Sequence, residues 1–270
     1  MKTFAKFYNS EDFTSIAGDL KDLNWSLFVD EGPQSNDDLS ELNVFVALEP
    51  NEYFGIHDWV IKNKNIFSLI LTWSDKVLNN CENAMFLPFG TTWLTEEQYS
   101  QNHEKKFQVS HVRGNLLKTH GHSLRFEYHD RGNELKLPYK SWELAGIREQ
   151  MDTCAKAKIE LFGDAQYGVI IENTSHRGYF TEKIMEMFLL KTIPVYWGCS
   201  NIGDFFNMDG IITFDNVDDL IYNLNRLDED YYNSKIDAIE ENYNIALEYL
   251  NVQPRIIDTI TNVFKHNNLI

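Results

Sequence analysis

The sequence predicts an α/β protein built from two Rossmann-like domains. Short apolar runs that suit buried strands alternate with segments of helical periodicity along the chain. This alternation is interrupted from Thr95 to Lys106, where the sequence is charged, polar and without apolar periodicity. With 270 residues, of which 43% are hydrophobic, the chain is long enough for two modest cores. We therefore predict a first domain over residues 1–103 and a second over residues 104–270.

Five apolar runs predict the strands of the first domain. They are followed by polar turn residues, as at Asp30-Glu31-Gly32-Pro33 and Glu49-Pro50-Asn51-Glu52. A helix is predicted at 56–61, and strands that alternate with short helices are typical of a small doubly wound domain. The predicted strands cover residues 3–8, 25–29, 42–48, 67–72 and 86–90.

The second domain continues the alternation after the junction. Its first strand is predicted at 107–112 with Arg113-Gly114-Asn115 as the following loop, and a helical segment follows His122. The acids of two later amphipathic helices are interpreted as solvated faces. The last helix can pack back on the first domain. Further strands are predicted at 135–139, 168–171, 193–198 and 210–214, and further helices at 148–158, 182–191, 220–227, 236–250 and 256–264.

The stretch from Val169 to Gly198 carries most of the chemistry that the sequence suggests. It combines a buried strand, a polar loop, a helix and a second strand, which together form a βαβ unit. Thr181 suits the N-cap of the helix and Glu182 its first-turn acid. Because ligands of such units bind beyond the carboxyl ends of the strands, we expect the polar side chains of the loop to gather there. These side chains are Asn173, Tyr179, Glu182 and Lys183.

The formal net charge of −17 restricts the partners of the general surface. Nucleic acids and anionic membranes need a basic face, so no nucleic-acid partner is predicted. The cysteines Cys81, Cys154 and Cys199 lack Cys-x-x-Cys spacing, which favours reduced, buried thiols over a disulfide framework or a zinc site. No apolar stretch approaches the about 18 to 20 residues of a membrane span. We therefore predict no transmembrane segment and a cytoplasmic protein, soluble or peripheral, unless an N-terminal anchor has been removed.

Three groups of residues resemble the donor-binding signature of the fucosyltransferases of glycosyltransferase family 10. They are Glu172-Asn173, Gly178-Tyr179-Phe180-Thr181-Glu182-Lys183 and Ile193-Pro194-Val195-Tyr196-Trp197-Gly198. The match covers about thirty residues and is specific because so many positions agree in order. Agreement from residue 107 to 214 is looser. The resemblance implies a GT-B type fold, with two Rossmann-like domains facing across a cleft, and it is to the anchor-free microbial or viral type.

The resemblance also implies an activity. It is the transfer of fucose from GDP-fucose, or of a sugar from a related GDP-sugar, to a hydroxyl of an oligosaccharide or glycan acceptor, with inversion of the anomeric centre. No cofactor besides this donor substrate is implied. Such a transfer needs a base for the acceptor hydroxyl, charge neutralisation for the departing phosphates and a pocket that orients the donor. The alternatives are the same fold with another sugar nucleotide, and a glycan-binding protein of this fold without turnover.

The predicted catalytic residues are Glu49, Arg125 and Lys183. Lys183 lies in the first turn of a helix, where its ammonium and the backbone N–H groups can hold two phosphates without a metal. The alternative for Lys183 is a surface lysine beside a glutamate. The resemblance places Arg125 on the diphosphate, which suits the bidentate guanidinium, and Arg113 is its rival. Glu49 ends a buried strand where the family has a glutamate, so we predict it to be the general base, with Glu52 as the alternative.

The resemblance further places a set of loop residues against the donor. An Asx-type loop cap, a packing aromatic and a helix N-terminal acid are common alternatives for three of them, Asn173, Tyr179 and Glu182. Their concentration in one loop favours the binding role, and Glu172 is expected to support the loop rather than to touch substrate. The predicted donor-binding residues are Asn173, Tyr179, Thr181, Glu182, Lys183 and Arg125.

Two patterns that suggest a metal site are set aside. Asp228-Glu229-Asp230 lies between amphipathic helices rather than at a strand end, and His120-Gly121-His122 has no third ligand spaced nearby. We therefore predict no metal-binding residues and metal-independent catalysis. The aromatic residues Tyr53, Trp59, Trp73 and Trp93 are candidates for a sugar platform or for a core.

Overall fold

The computed structural model describes residues 1–144 and 151–269, and the chain divides into two compact units. Unit 1 comprises Met1–Phe89, Arg177–Tyr179 and Asn251–Ile270, and unit 2 comprises Gly90–His176 and Phe180–Leu250. The chain leaves unit 1 after Phe89, ahead of the junction placed between residues 103 and 104 by the sequence, and it returns there for the last helix. The predicted helix start at residue 148 and the side chain of Cys154 lie outside what the structure describes.

The sheet of unit 1 has five parallel strands whose spatial order is their order in the sequence. Successive side chains face opposite sides, so that Leu27 and Val29 join one apolar cluster while Phe28 joins another. Helices cover both sides, but the order lacks the reversal of the doubly wound sheet that we expected for this domain. The elements are β1 Lys2–Ala5, α1 Ser10–Ile16, β2 Trp25–Val29, β3 Leu42–Ala47, α2 Asn51–Phe54, α3 Ile56–Lys62, β4 Leu69–Thr72, α4 Asp75–Leu78 and β5 Ala84–Phe86.

The sheet of unit 2 is also parallel and five-stranded, in the order β10-β9-β8-β6-β7. The strand order reverses at the β6–β8 pair, which makes that pair a topological switch point. The elements are α5 Glu96–Tyr99, β6 Lys106–Gly114, α6 His120–Asp130, β7 Tyr139–Leu144, α7 Met151–Phe162, β8 Ala165–Ile171, α8 Glu182–Leu189, β9 Ile193–Trp197, β10 Ile212–Thr213, α9 Val217–Leu224, α10 Glu229–Asn233 and α11 Ile236–Ala246. The last helix, α12 Val252–His266, packs its apolar face in the core of unit 1.

Two predicted boundaries are wrong for identifiable reasons, and the junction segment contains a short helix. Arg113 belongs to β6 rather than to a loop, because the strand continues to pair with β7 at Glu143. The strand expected at 135–139 begins only at Tyr139, since Leu137 is buried as an apolar loop residue. The predicted junction contains α5, which begins after Thr95 because a capping box with Gln98 stabilises its first turn.

Two other sequence expectations concern cysteines and membrane spans. Cys81 and Cys199 are buried free thiols, which confirms the prediction for these two residues. No helix among residues 1–144 and 151–269 combines the length and the apolar character that a bilayer crossing requires.

Strand β6, which lies inside the unit 2 sheet, carries a buried histidine that makes stability depend on pH. His111 is 1% exposed, its Nδ1 lies 3.3 Å from the Val169 carbonyl oxygen, and burial lowers its pKa to about 3. Because this pKa is below the 6.5 of the unfolded chain, the unfolded state binds more protons between about pH 6.5 and 3. We expect His111 to contribute about 2 kcal/mol to the loss of unfolding free energy between pH 7.5 and pH 5.

Urea unfolding of the wild type and His111→Gln at these two pH values measures this contribution. The variant should lose about 2 kcal/mol less stability than the wild type on acidification. His266→Gln, on the exposed last turn of α12, should behave as the wild type does. An identical pH dependence of all three proteins would contradict the prediction.

Candidate functional site

The polar loop that follows β8 lies at the switch point of the unit 2 sheet. Ligand sites of open α/β sheets lie outside the carboxyl ends of the strands at such a point. β8 ends at Ile171, and the next three residues, Glu172, Asn173 and Thr174, are polar and buried. Buried polar side chains need hydrogen-bond partners, and those of Glu172 and Asn173 have them.

Glu172 ties this loop to the start of α8. Its carboxylate is fully buried and accepts hydrogen bonds from the Thr181 backbone N–H at 2.9 Å and from the Thr181 hydroxyl at 2.8 Å. Lys183 Nζ lies 3.3 Å from Glu172 Oε2 and donates to Thr181 Oγ1 at 2.9 Å. Thr181 also accepts from the Lys183 backbone N–H, which confirms it as the predicted N-cap. Three side chains therefore form one network at the N-terminus of α8.

Lys183 lies between two carboxylates. Besides Glu172, its Nζ contacts Glu182 Oε1 at 3.2 Å, and the Lys183 side chain is 24% exposed. Burial raises the pKa of Glu182, but the charges of Lys183 and Lys158 outweigh this effect and lower the pKa to about 2. Lys183 is thus a mostly buried cation and not the surface lysine that the sequence allowed as its alternative.

A second ionic cluster lies one turn further along α8. Glu186 is fully buried, its carboxylate lies 2.6 Å from Lys158 Nζ, and it accepts a hydrogen bond from the Trp93 backbone N–H at 3.1 Å. Lys158 Nζ also lies 4.2 Å from the centroid of the Trp93 ring. Burial raises the pKa of Glu186, although Lys158 partly opposes the shift.

Arg125 lies at the carboxyl end of β8. It is 9% exposed, its Nε donates to the Ile171 carbonyl at 2.9 Å, and its Nη2 donates to the same carbonyl and to Asn173 Oδ1 at 3.0 Å. These bonds fix the Asn173 side chain, and Asn173 directly follows Glu172. The two predicted cations, Arg125 and Lys183, are therefore bound to consecutive residues of one loop.

Gly121 allows α6 to approach this loop. Its backbone N–H donates to the Asn173 carbonyl at 3.2 Å, and a Cβ atom at this position would lie 1.8 Å from the Glu172 carbonyl oxygen. No side chain fits at that distance, so glycine is required for the close contact. The first turn of α6, which Thr119 begins with a capping box, is thereby placed beside Glu172 and Asn173.

Tyr179, predicted at the donor, is a core residue of unit 1. Its ring is fully buried and lies 4.7 Å, centroid to centroid, from the ring of Trp73. Gly178 precedes it with a φ of 73°, which lets the loop turn sharply. The structure gives Tyr179 the packing role that was its alternative, and its contact with the donor stays a prediction.

Glu49, the predicted base, lies in unit 1 just after the carboxyl end of β3. Its side chain is half-buried, whereas the alternative, Glu52, is exposed in the short helix α2. The backbone N–H and carbonyl of Glu49 are bound by the side chains of Asp30 and His57. Its role as a base stays a prediction.

The other candidates have structural partners. Arg113, the rival of Arg125, pairs with Glu143 at 2.5 Å and lies over the Phe126 ring at 4.1 Å. Asp228 caps α10 through the Tyr231 backbone N–H. Of the four aromatic candidates for a sugar platform, Trp73 and Tyr53 are buried, Trp59 packs on Phe67 and Phe45, and Trp93 is 37% exposed.

The sequence analysis missed Lys158, Glu186 and Gly121. A signal for Glu186 exists, because it lies four residues after Glu182 on the otherwise apolar face of α8. Lys158 belongs to another helix, and its pairing depends on how α7 packs. Gly121 was considered only within the rejected metal pattern His120-Gly121-His122, since nothing local shows that another segment touches it.

Comparison with known proteins places this site in context. Residues 116–236 match the family described as glycosyltransferase family 10 (fucosyltransferase) C-term. Over 99 residues, which are 36% of this chain and 20% of the relative, the chain is 30% identical to the alpha-(1,3)-fucosyltransferase FucT of Helicobacter pylori. The matched part spans about a fifth of the length of the curated relatives.

Solved structures with the same fold include two of glycosyltransferase type. A crystal structure of an alpha1,3-fucosyltransferase with GDP-fucose is similar with a TM-score of 0.55 and 16% identity, over 89% of this chain and 81% of that chain. The Anabaena protein HepE in complex with UDP and glucose has a TM-score of 0.57 and 12% identity, over 94% of this chain and 82% of that chain. These similarities concern the fold, and they confirm the predicted α/β fold of GT-B type.

Proposed function

We propose that the protein transfers fucose from GDP-fucose to a hydroxyl of a glycan acceptor, because residues 116–236 match the family model of glycosyltransferase family 10 (fucosyltransferase) C-term. The proposal includes inversion at the anomeric carbon and a reaction without a metal ion. The observation that carries it is the pair of cations, Arg125 and Lys183, held on consecutive residues after β8 beside the N-terminus of α8.

The proposed donor site suits a diphosphate for electrostatic reasons. The N-terminus of α8 presents the positive end of the helix dipole, which favours a bound anion. Arg125 adds a fixed, planar donor group, and Lys183 adds a point charge on a flexible side chain. The carboxylates of Glu172 and Glu182 balance Lys183 when no ligand is bound, so a diphosphate would compete with them for the ammonium group.

In the proposed reaction the acceptor oxygen attacks the anomeric carbon of fucose. The bond from that carbon to the β-phosphate oxygen breaks, and its electron pair leaves with GDP. The hydroxyl proton of the acceptor passes to the carboxylate of Glu49. Arg125, Lys183 and the N-terminus of α8 stabilise the negative charge that develops on GDP. Glu182 is held ionised by its neighbours, so it can accept hydrogen bonds from ribose or sugar hydroxyls.

A thermal-shift series with nucleotides and nucleotide sugars tests the donor. GDP-fucose at 100 times its dissociation constant should add about 2.7 kcal/mol to the unfolding free energy. GDP should also stabilise the protein, since the proposed contacts are made to the diphosphate. UDP-glucose shares the diphosphate, so it should stabilise the protein less only if the base or the sugar is recognised as well, as the proposal of a GDP-fucose donor requires. A larger shift with UDP-glucose than with GDP-fucose would favour another sugar nucleotide as the donor.

Transfer itself is measured with radiolabelled GDP-fucose and a panel of oligosaccharides. Incorporation of label into at least one acceptor, undiminished by EDTA, is the expected result. Binding of GDP-fucose with no transfer to any acceptor would favour a glycan-binding protein without turnover. Loss of transfer in EDTA that Mg²⁺ or Mn²⁺ restores would contradict the metal-independent mechanism.

A further inference from the structure

The two residues at the end of β3, Leu48 and Glu49, have their backbone held by side chains from three other elements. Asp30 Oδ1 accepts the backbone N–H of Leu48 at 2.8 Å and that of Glu49 at 3.0 Å. The Leu48 carbonyl accepts from Trp73 Nε1 at 2.5 Å, and the Glu49 carbonyl lies 3.0 Å from His57 Nε2. All four backbone polar groups of this dipeptide are therefore bound by side chains.

This arrangement is not the local capping that is common at strand ends. Side chains of Asp usually bind backbone groups a few residues away. Asp30 binds amides that lie 18 and 19 residues further along the chain, and Trp73 binds a carbonyl 25 residues before it. Three separate segments, the end of β2, the end of β4 and α3, thus converge on one short turn.

The burial and the backbone conformation of Asp30 are energetically unfavourable in themselves. Asp30 is 1% exposed, and its Oδ2 is buried without a hydrogen-bond partner among the residues that the structure describes. Its backbone has a φ of 54°, in the left-handed region that non-glycine residues seldom adopt. Burial raises the pKa of Asp30 to about 7, against the opposing effect of the two backbone N–H groups and of Lys6, while Glu31 adds to the rise. A buried, strained carboxyl group is typical of functional sites.

We propose that Asp30, Trp73 and His57 form a clamp that positions Glu49 for the removal of the acceptor proton, an inference that rests on the proposed function. Asp30 binds both amides through one oxygen and so fixes the orientation of the two peptide planes. His57, which is 2% exposed, donates from Nε2 to a carbonyl that can only accept, and this sets its tautomer. The three are positioning residues, since they act on the backbone of Glu49 and not on substrate.

The clamp is also in contact with the signature loop. Trp73 lies between His57, with ring centroids 5.3 Å apart, and Tyr179, with centroids 4.7 Å apart. Tyr179 belongs to the Gly-Tyr-x-Thr-Glu-Lys signature, and His57, Trp73 and Tyr179 all lie in unit 1. The buried Tyr179 ring therefore packs against Trp73, whose Nε1 donates to the Leu48 carbonyl.

Asp30→Gly and Asp30→Asn test the clamp. Glycine accepts the positive φ and removes the side chain, whereas asparagine tolerates the same φ and retains an acceptor oxygen. Misplacing Glu49 should lower kcat about 10- to 100-fold in Asp30→Gly, with the KM for GDP-fucose within about twofold of the wild type. Asp30→Asn should recover most of this loss. A folded Asp30→Gly protein with the kcat of the wild type would overturn the proposal.

Asn43→Ala is the matched control. Asn43 is 7% exposed, lies near the start of β3, the strand that precedes Glu49, and binds Ser40 and Ile66 backbone groups through its side chain. The Asn43→Ala variant should be less stable than the wild type and should keep the kcat of the wild type. If Asp30→Gly fails to fold, Trp73→Phe is the second variant, because it removes the donor to the Leu48 carbonyl and keeps an aromatic ring. It should lower kcat at least threefold. An unchanged kcat would overturn the proposal.

Hydrogen exchange of the Leu48 and Glu49 amides, followed by NMR, measures how firmly the clamp binds these amides and does not depend on catalytic activity. Exchange at these two amides should be about tenfold faster or more in Asp30→Gly, because the acceptor of both N–H groups is lost. In Asn43→Ala they should exchange at the wild-type rate. A wild type that transfers fucose to no acceptor would defeat the proposed function, whereas unchanged exchange in Asp30→Gly would defeat the clamp.

Discussion

Glu49→Gln should lower the rate of fucose transfer by about 10²- to 10⁴-fold, the range that general base catalysis supplies. Glutamine has the size of glutamate but cannot take a proton from the acceptor. Because Asp30 and His57 bind the backbone of Glu49 and not its side chain, the turn should stay in place. The measurement is kcat and KM for donor and acceptor, with thermal shift by GDP-fucose as the check on donor binding.

Glu52→Gln is the informative comparison for this prediction. Glu52 is an exposed acid in α2, three positions after Glu49. It should keep a rate within about threefold of the wild type, since surface substitutions have small effects. If Glu52→Gln lost the larger share of activity, the base would be Glu52 and the clamp would need another explanation.

Lys183→Ala should lower kcat/KM by about 30- to 1000-fold, which corresponds to about 2 to 4 kcal/mol of transition-state stabilisation. The ammonium group is the proposed partner of the phosphate charge that develops as GDP leaves. In the unliganded protein the same group lies between the carboxylates of Glu172 and Glu182. Its removal also leaves two buried anions without their shared cation, which should reduce stability by up to about 3 to 5 kcal/mol. Rates must therefore be compared at a temperature where the variant is folded.

The pH dependence of stability separates the two effects of Lys183→Ala. The pKa of Glu182 is about 2 in the folded protein, below its ordinary 4.5, partly because of Lys183. A lowered carboxyl pKa stabilises the protein above about pH 4.5, and this contribution is lost as the pH falls towards 2. The stability difference between wild type and variant should therefore be largest near neutral pH and shrink on acidification. A difference that is independent of pH would mean that Lys183 does not hold Glu182 ionised.

Lys191→Ala provides the control for loss of a lysine near the same helix. Lys191 follows the C-terminus of α8 and pairs with Glu240 at 2.6 Å, where both side chains are largely exposed. Such surface pairs contribute about 1 kcal/mol or less. The variant should transfer fucose at the rate of the wild type. An equal loss of rate in both variants would show that the effect of Lys183→Ala is general and not due to the donor site.

Local patterns in the sequence were sufficient for the elements around the site. The apolar run before Glu172 is β8, the Thr181 N-cap begins α8, and the Ile193–Trp197 strand is β9. Periodicity and caps act over a few residues, so they are visible in one short stretch. The strand predicted at 135–139 was wrong over most of its length. Leu137 is apolar because it packs in a core cluster of unit 2, and the local pattern does not show this contact.

The partners of the charged residues could not be derived in this way. Lys158 and Glu186 are on different helices, and Asp30 meets the Glu49 turn only because β2 and β3 are neighbours in the sheet. Tyr179 lies in the signature loop, yet its ring belongs to the core of unit 1. These contacts join residues far apart in the chain, and an ion pair or a clamp leaves no periodicity.

By itself, the sequence determined the α/β class, the βαβ unit and the stretch that carries Asn173 and Lys183. Only the tertiary structure decided that Lys183 lies between two carboxylates, that Gly121 must be glycine and that Asp30 holds the Glu49 turn. The physical reason is the separation along the chain over which each effect acts. Helix and strand propensities depend on near neighbours, whereas burial, pKa and hydrogen-bond partners depend on which distant segments fold against each other.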